Sequence, residues 1–114
     1  MAAPSTLGDF EQLILLALVR LGEGAYGVAI HKELRTRAGR DVTVAAVYKT
    51  LERLENKGFA ASSLGEPTAE RGGRRKKFFR IQPAGRRALR HAIASLRRMG
   101  SGLPADLDLA ADES

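Results

Sequence analysis

Cysteine is absent from this chain, so neither a disulfide framework nor a thiolate metal site can be built from it, and the composition suits a reducing compartment. Histidine occurs only at His31 and His91, and no carboxylate cluster joins either one at metal-ligand spacing, so no metal and no cofactor is expected. Long apolar runs are missing too. The longest, residues 13–19, falls far short of the ~20 residues a membrane-spanning helix needs, and nothing near the N-terminus combines a basic flank, an apolar run and a small-residue cleavage site. A soluble, cytoplasmic protein with no membrane partner is the expectation. Catalytic constellations are lacking in the same way: no Ser/His/Asp set and no carboxylate pair stands in an identifiable context, so the chain does not read as an enzyme.

What is present is positive charge. The 114 residues suffice for one domain with a modest core, and they carry 19 Lys and Arg against 13 Asp and Glu, a net charge of +6. Four of the acids, Asp106, Asp108, Asp112 and Glu113, lie after residue 105, so residues 1–105 hold nineteen basic against nine acidic groups, or +10. A basic body with an acidic tail points to a polyanionic partner. Nucleic acid is favoured over a membrane surface because no helix combines a basic face with a bulky apolar one.

Residues 43–59, T-V-A-A-V-Y-K-T-L-E-R-L-E-N-K-G-F, predict one helix with two faces. At 100° per residue Val44, Val47, Leu51 and Leu54 fall on a side that can anchor in a core, while Ala45, Ala46, Lys49 and Arg53 fall on the other. That second side is small at its N-terminal end and basic further along, as a helix must be if its first turns approach base edges and its later turns meet phosphate. Thr43 suits the N-cap and Gly58 the C-terminal stop. An ordinary amphipathic helix with a solvated basic face has the same pattern, so the neighbouring elements decide.

The first of these is a helix from Thr6 to just before Gly22, with Asp9 and Glu11 near its start as the helix dipole favours. Residues 13–19 are apolar all round, more than one small core can cover, so a second subunit is expected on part of that surface; wrapping by its own chain is the alternative. A second helix over residues 26–38 places Ala29, Ile30 and Leu34 at core spacing, and its short link to Val42 forces a steep helix-turn-helix crossing. Residues 59–64 and the run R-K-K-F-F-R-I then predict two strands of a hairpin. Around its tip and second strand lie Arg71, Arg74, Arg75, Lys76, Lys77 and Arg80, six basic groups within ten residues, beside Gly72 and Gly73. Phe79 and Ile81 are its expected core residues. The charges suit phosphate or minor-groove contact, or alternatively a solubilised strand edge. Pro83 opens a last helix to about Arg98, with Ala84, Ala88, Leu89, Ala92, Ile93, Leu96 and Met99 in one stripe suited to a twin helix or to the first helix. Residues 100–114 read as a disordered acidic tail.

This order, mostly α with a small β-hairpin, is a winged helix-turn-helix, and it resembles the PadR family of bacterial transcriptional regulators. The matching pieces are L-G-D-F-E-Q-L-I-L-L-A-L, A-Y-G-V-A-I, V-Y-K-T-L-E-R-L-E-N-K-G-F and G-G-R-R-K-K-F-F-R-I-Q-P-A-G-R-R-A-L, which together cover about residues 7–90. The length is similar to the short subfamily, whose C-terminal part is one dimerisation helix. The resemblance implies a DNA-binding unit over residues 1–82, a dimerisation helix over 83–99 and the tail. It implies a homodimeric repressor on an inverted-repeat double-stranded DNA operator, released by a small-molecule effector. DNA contact is expected from Tyr26, Gly27, Thr43, Ala45, Ala46, Tyr48, Lys49, Arg53, Arg71, Gly72, Arg74 and Arg75. Dimerisation is expected from Phe10, Leu13, Ile14, Ala17, Leu89, Ile93, Leu96 and Met99. Gln82 stands where the family commonly has a threonine cap, and there is no tryptophan of the kind that lines drug pockets in some short relatives. A nonspecific nucleic-acid or ribosome-associated binder would use the same basic surface and is the competing expectation.

Overall fold

The computed structural model describes residues 7–65 and 76–109. Helix α1, Asp9–Leu21, leads through a 3₁₀ turn at Gly22–Gly24 into α2, Gly27–Arg37, and then α3, Val44–Asn56. Strands β1, Ala60–Leu64, and β2, Lys77–Ile81, pair antiparallel with Ser62 opposite Phe79, and α4, Pro83–Gly100, follows at once. Each boundary has a local cause. The Ala46 N–H donates to Thr43 Oγ1 at 3.0 Å, capping α3 at its start. At its end Gly58 adopts φ +79°, and the N–H groups of Gly58 and Phe59 reach the carbonyls of Glu55 and Leu54 at 2.9 Å each. This is the Schellman arrangement, completed by two buried side chains, Phe59 and Leu54.

The core is drawn from every element: Ile14, Leu15 and Leu18 of α1, Ile30 and Leu34 of α2, Val47, Leu51 and Leu54 of α3, Phe59 and Phe79 of the hairpin, and Leu89 of α4. Helix α1 lies at its centre, touching α2, α3, β2 and α4. Its all-round apolar sequence is therefore covered mostly by its own chain. This corrects one part of the expected subunit interface: Ile14, Ala17 and Leu89 are buried inside the chain, whereas Phe10 and Leu13, packed against its core, keep part of their surface exposed. Val19 stays exposed. Val44 departs from expectation in the opposite direction, standing 37% exposed because the first turn of α3 projects past the core that its later turns enter.

Two features were not foreseen. Tyr26 forms an antiparallel bridge with Phe78, and the Phe79 N–H donates to the Ala25 carbonyl at 2.8 Å, so the link before α2 acts as a short third strand. The second is an ion pair between buried Glu11 and exposed Lys57. Glu11 Oε2 lies 2.8 Å from Lys57 Nζ, and Glu11 Oε1 accepts from the Gly8 N–H at 2.8 Å, which fastens the start of α1 to the C-cap of α3. Burial pushes the Glu11 carboxyl up, but the Lys57 hydrogen bond, the Gly8 N–H and the charges of Lys57 and Arg53 outweigh it and hold it below the usual carboxylate range.

Helix α4 starts as expected, with Pro83 at its first position, and runs to Gly100. Gly85 is needed there: a Cβ on it would lie 2.2 Å from the Phe59 carbonyl oxygen. Beyond α4, where the sequence suggests a disordered tail, residues 101–109 make a turn in which the Pro104 carbonyl accepts from Leu107 and Asp108 at 2.8 and 3.0 Å.

Candidate nucleic-acid interface

Helix α3 presents one face to the core and the opposite face to solvent. Ala45, Tyr48, Lys49, Glu52 and Arg53 are exposed and Ala46 is half-buried, while Val47, Thr50, Leu51 and Leu54 are buried. Thr50 is buried although no sequence signal marks its position. The exposed face begins with the small Ala45 and Ala46, so the first turn can approach a groove floor closely, and the two cations lie further along.

That face is held at three points. At the entrance, His31 Nε2 donates to the Val42 carbonyl at 2.6 Å, tying α2 to the chain just before the α3 cap. At the far end, Glu55 accepts from Ser62 Oγ at 2.7 Å and lies 4.0 Å from Lys77 Nζ, which joins α3 to both strands. The Glu11–Lys57 pair adds the third. None of these three contacts has a local sequence cue except the Glu11 back-bond, whose three-residue spacing from Gly8 is that of half a capping box.

Tyr48 is partly exposed, at 42%, and its ring packs edge-on to Phe79 with 6.3 Å between centroids. It also lies directly over Gly27, where a Cβ would fall 2.2 Å from the hydroxyl oxygen. Gly27, expected at the DNA surface, is instead buried, and its function is to admit the Tyr48 ring beside the start of α2. Tyr26 is half-buried, edge-on to Phe78 at 5.7 Å and covered by Lys76, whose Nζ is 4.4 Å from the ring centre. The loop end of the paired strands thus carries a cation held on an aromatic face. Arg71, Gly72, Arg74 and Arg75, the expected wing contacts, lie outside the described residues. Among the described residues no group of His, Asp and Glu is placed to hold a metal ion, and no helix is long and apolar enough to cross a membrane.

A packed helix pair with an exposed, capped second helix, backed by a basic hairpin, defines a winged helix-turn-helix DNA-binding protein. The model of the transcriptional regulator PadR-like family matches residues 15–91, more than half of the chain, and the chain belongs to that family, whose members are transcription regulators and not enzymes. A PadR family regulator from Eggerthella lenta is 31% identical, covering 77% of this chain and 74% of its own, with a TM-score of 0.60. One from hypervirulent Clostridium difficile shares the fold at 24% identity and a TM-score of 0.66, over 81% of this chain and 91% of that one. Bacillus subtilis PadR, solved in complex with operator DNA, shares the fold at 22% identity and a TM-score of 0.63, over 75% of this chain and 48% of that longer one. No curated protein matches the chain.

Proposed function

We propose that this regulator is a homodimeric, sequence-specific repressor that places α3 in the major groove of each half of an inverted-repeat operator. The observation that carries the proposal is the exposed α3 face, in which small Ala45 and Ala46 precede Lys49 and Arg53 on a helix fixed at both ends. In this arrangement Ala45 and Ala46 admit the groove edge, Lys49 reads a base or its adjacent phosphate, Arg53 meets the backbone, and the wing arginines Arg71, Arg74 and Arg75 add backbone charge. Support for a dimer comes from α4. Its stripe continues past the core, with Ile93 half-buried and Leu96 and Met99 exposed to 55% and 80%, a surface that a twin helix would cover.

A candidate location for release by a small molecule is a cavity of about 450 Å³ lined by Leu18, Val19, Phe78, Ile81, Arg80 and Arg86. It touches both β2 and the first turns of α4, so a ligand there would act on wing and dimer helix together. Selection of duplexes from random DNA at physiological salt tests the main proposal. Recovery of an inverted repeat with half-sites about one helical turn apart is the expected result. Recovery of unenriched sequence would establish the nonspecific mode instead.

A further inference from the structure

The exposed side of α3 has two unlike edges. By helical periodicity Val44 and Tyr48 fall within roughly 40° of each other, Lys49 and Arg53 lie on the far side of the same exposed arc, and Ala45 stands between the two pairs. One edge is apolar and the other cationic. Val44 is 37% exposed and Tyr48 42% exposed, so the apolar edge faces solvent in the free protein, although Val47, three residues beyond Val44, is fully buried. Val44 is also the first residue of α3, and the N-terminal residues of a recognition helix are those that meet base edges in helix-turn-helix proteins.

This end of the helix has few groups with which to read a base by hydrogen bonding. Residues 43–49 hold no arginine, asparagine, glutamine or carboxylate, and Lys49 is their one charged side chain. Thr43 Oγ1 already accepts the Ala46 N–H at 3.0 Å. The Tyr48 hydroxyl lies over Gly27, where a Cβ would fall 2.2 Å from its oxygen, so the polar end of this ring is turned to α2. In the major groove the base pairs differ by their donors and acceptors and, for thymine, by a C5-methyl group. A lysine, which only donates, suits the acceptors of guanine, and a valine suits the thymine methyl. Neither suits the exocyclic amine of adenine or cytosine.

We propose that Val44 is a specificity-determining residue of this regulator: its side chain, with the Tyr48 ring one turn behind it, covers the C5-methyl of a thymine in each half-site, so the operator carries a T·A pair there. This contact rests on the sequence-specific DNA binding proposed above and assigns one base of the site. Removing one methyl group from water is equivalent to about fourfold in affinity per half-site, or roughly 15-fold for the two half-sites of a dimer. Deoxyuridine isolates that group, because it pairs with adenine as thymidine does and keeps the O4 acceptor while lacking the C5-methyl. Duplexes recovered from random DNA would be resynthesised with deoxyuridine at one symmetry-related pair of thymidines at a time, and their affinities measured at ~0.1 M salt for the parent chain and for Val44→Ala. At one such pair the parent should bind the deoxyuridine duplex about 4- to 15-fold more weakly, whereas Val44→Ala should bind both duplexes within about twofold of each other. Each variant is compared with itself on two duplexes, so a change in its folded fraction cancels. Lys49→Ala, altered on the opposite edge, should bind more weakly yet keep the thymidine preference. An operator without thymine, a parent chain indifferent to deoxyuridine at every position, or a preference that survives Val44→Ala would overturn the methyl contact and leave the repressor standing. Selection that enriches no sequence would remove the repressor and the contact together.

Discussion

Replacing Gly85 with alanine should destabilise the fold although it places a better helix former in a helix. Alanine gains at most ~1 kcal/mol over glycine inside a helix, and less in a first turn. Against this, the new Cβ would stand 2.2 Å from the Phe59 carbonyl oxygen and 3.1 Å from Ile81 Cγ1. Relief to an ordinary carbon contact requires α4 to move by about 1 Å, and inserting a methyl group into packed structure costs roughly 1–3 kcal/mol. The carbonyl is not free to tilt away, because it accepts the Gln82 N–H at 2.9 Å at the head of the same helix. Weakening that bond adds about 1 kcal/mol. The net loss is about 2 kcal/mol, equivalent to a fall in Tm of roughly 8 °C for a chain of this size. Urea melts with an unchanged m value would measure it. Gly24→Ala is the internal control, since nothing lies within 4 Å of its added Cβ, and it should stay within about 0.5 kcal/mol of the parent. A Gly85→Ala protein as stable as the parent would refute the close approach of α4 to Phe59.

Glu11 gives a pH test. Its folded pKa lies below its unfolded one, so its contribution is present above the ordinary carboxylate range and is lost as pH falls through the folded value. Glu11→Gln should therefore cost about 1–3 kcal/mol near neutral pH and almost nothing in strong acid, and a gap that persists unchanged in acid would show that the Lys57 pair is not its source. Lys49→Ala should weaken operator binding by about 1–3 kcal/mol and random DNA much less, whereas Arg74→Ala should weaken both alike and lower the salt slope by about 1 unit. Equal losses at Lys49 on both DNAs would limit it to a phosphate contact. Leu96→Glu should turn the dimer into a monomer in sedimentation and weaken operator binding with it; a parent chain that already sediments as a monomer at micromolar concentration would remove the dimer.

The elements of this fold were legible because their signals are local. Thr43 and Gly58 bracket α3 by capping chemistry, Pro83 opens α4, and the alternation of Phe79 and Ile81 identifies the inward side of β2. The positions that resisted prediction depend on partners distant in sequence. Lys57 meets Glu11 across 46 residues, and nothing near either residue announces the other. Ile14 and Ala17 looked surplus to a small core because periodicity records how much apolar surface a helix has, not how many neighbours will surround it. Gly27 looked like a surface residue for a similar reason: the ring that buries it, Tyr48, arrives from the next helix.

The bridge from Tyr26 to Phe78 has a consequence for how this molecule can be altered. The hairpin's register is set along its strands, by the Phe79 bond to Ala25 at the middle of β2 and by the pairing of β1 with β2 out to Leu64 opposite Lys77, before the loop begins. Loop length and composition can therefore vary, through insertion, deletion or grafting, without disturbing the axis of α3, because the entropic cost of a longer closed loop grows only slowly. The same stitch makes the opposite exchange difficult. A wing base transplanted without the Ala25–Tyr26 segment would arrive without its third strand, so wing and recognition helix should be inherited together while the wing tip diverges freely.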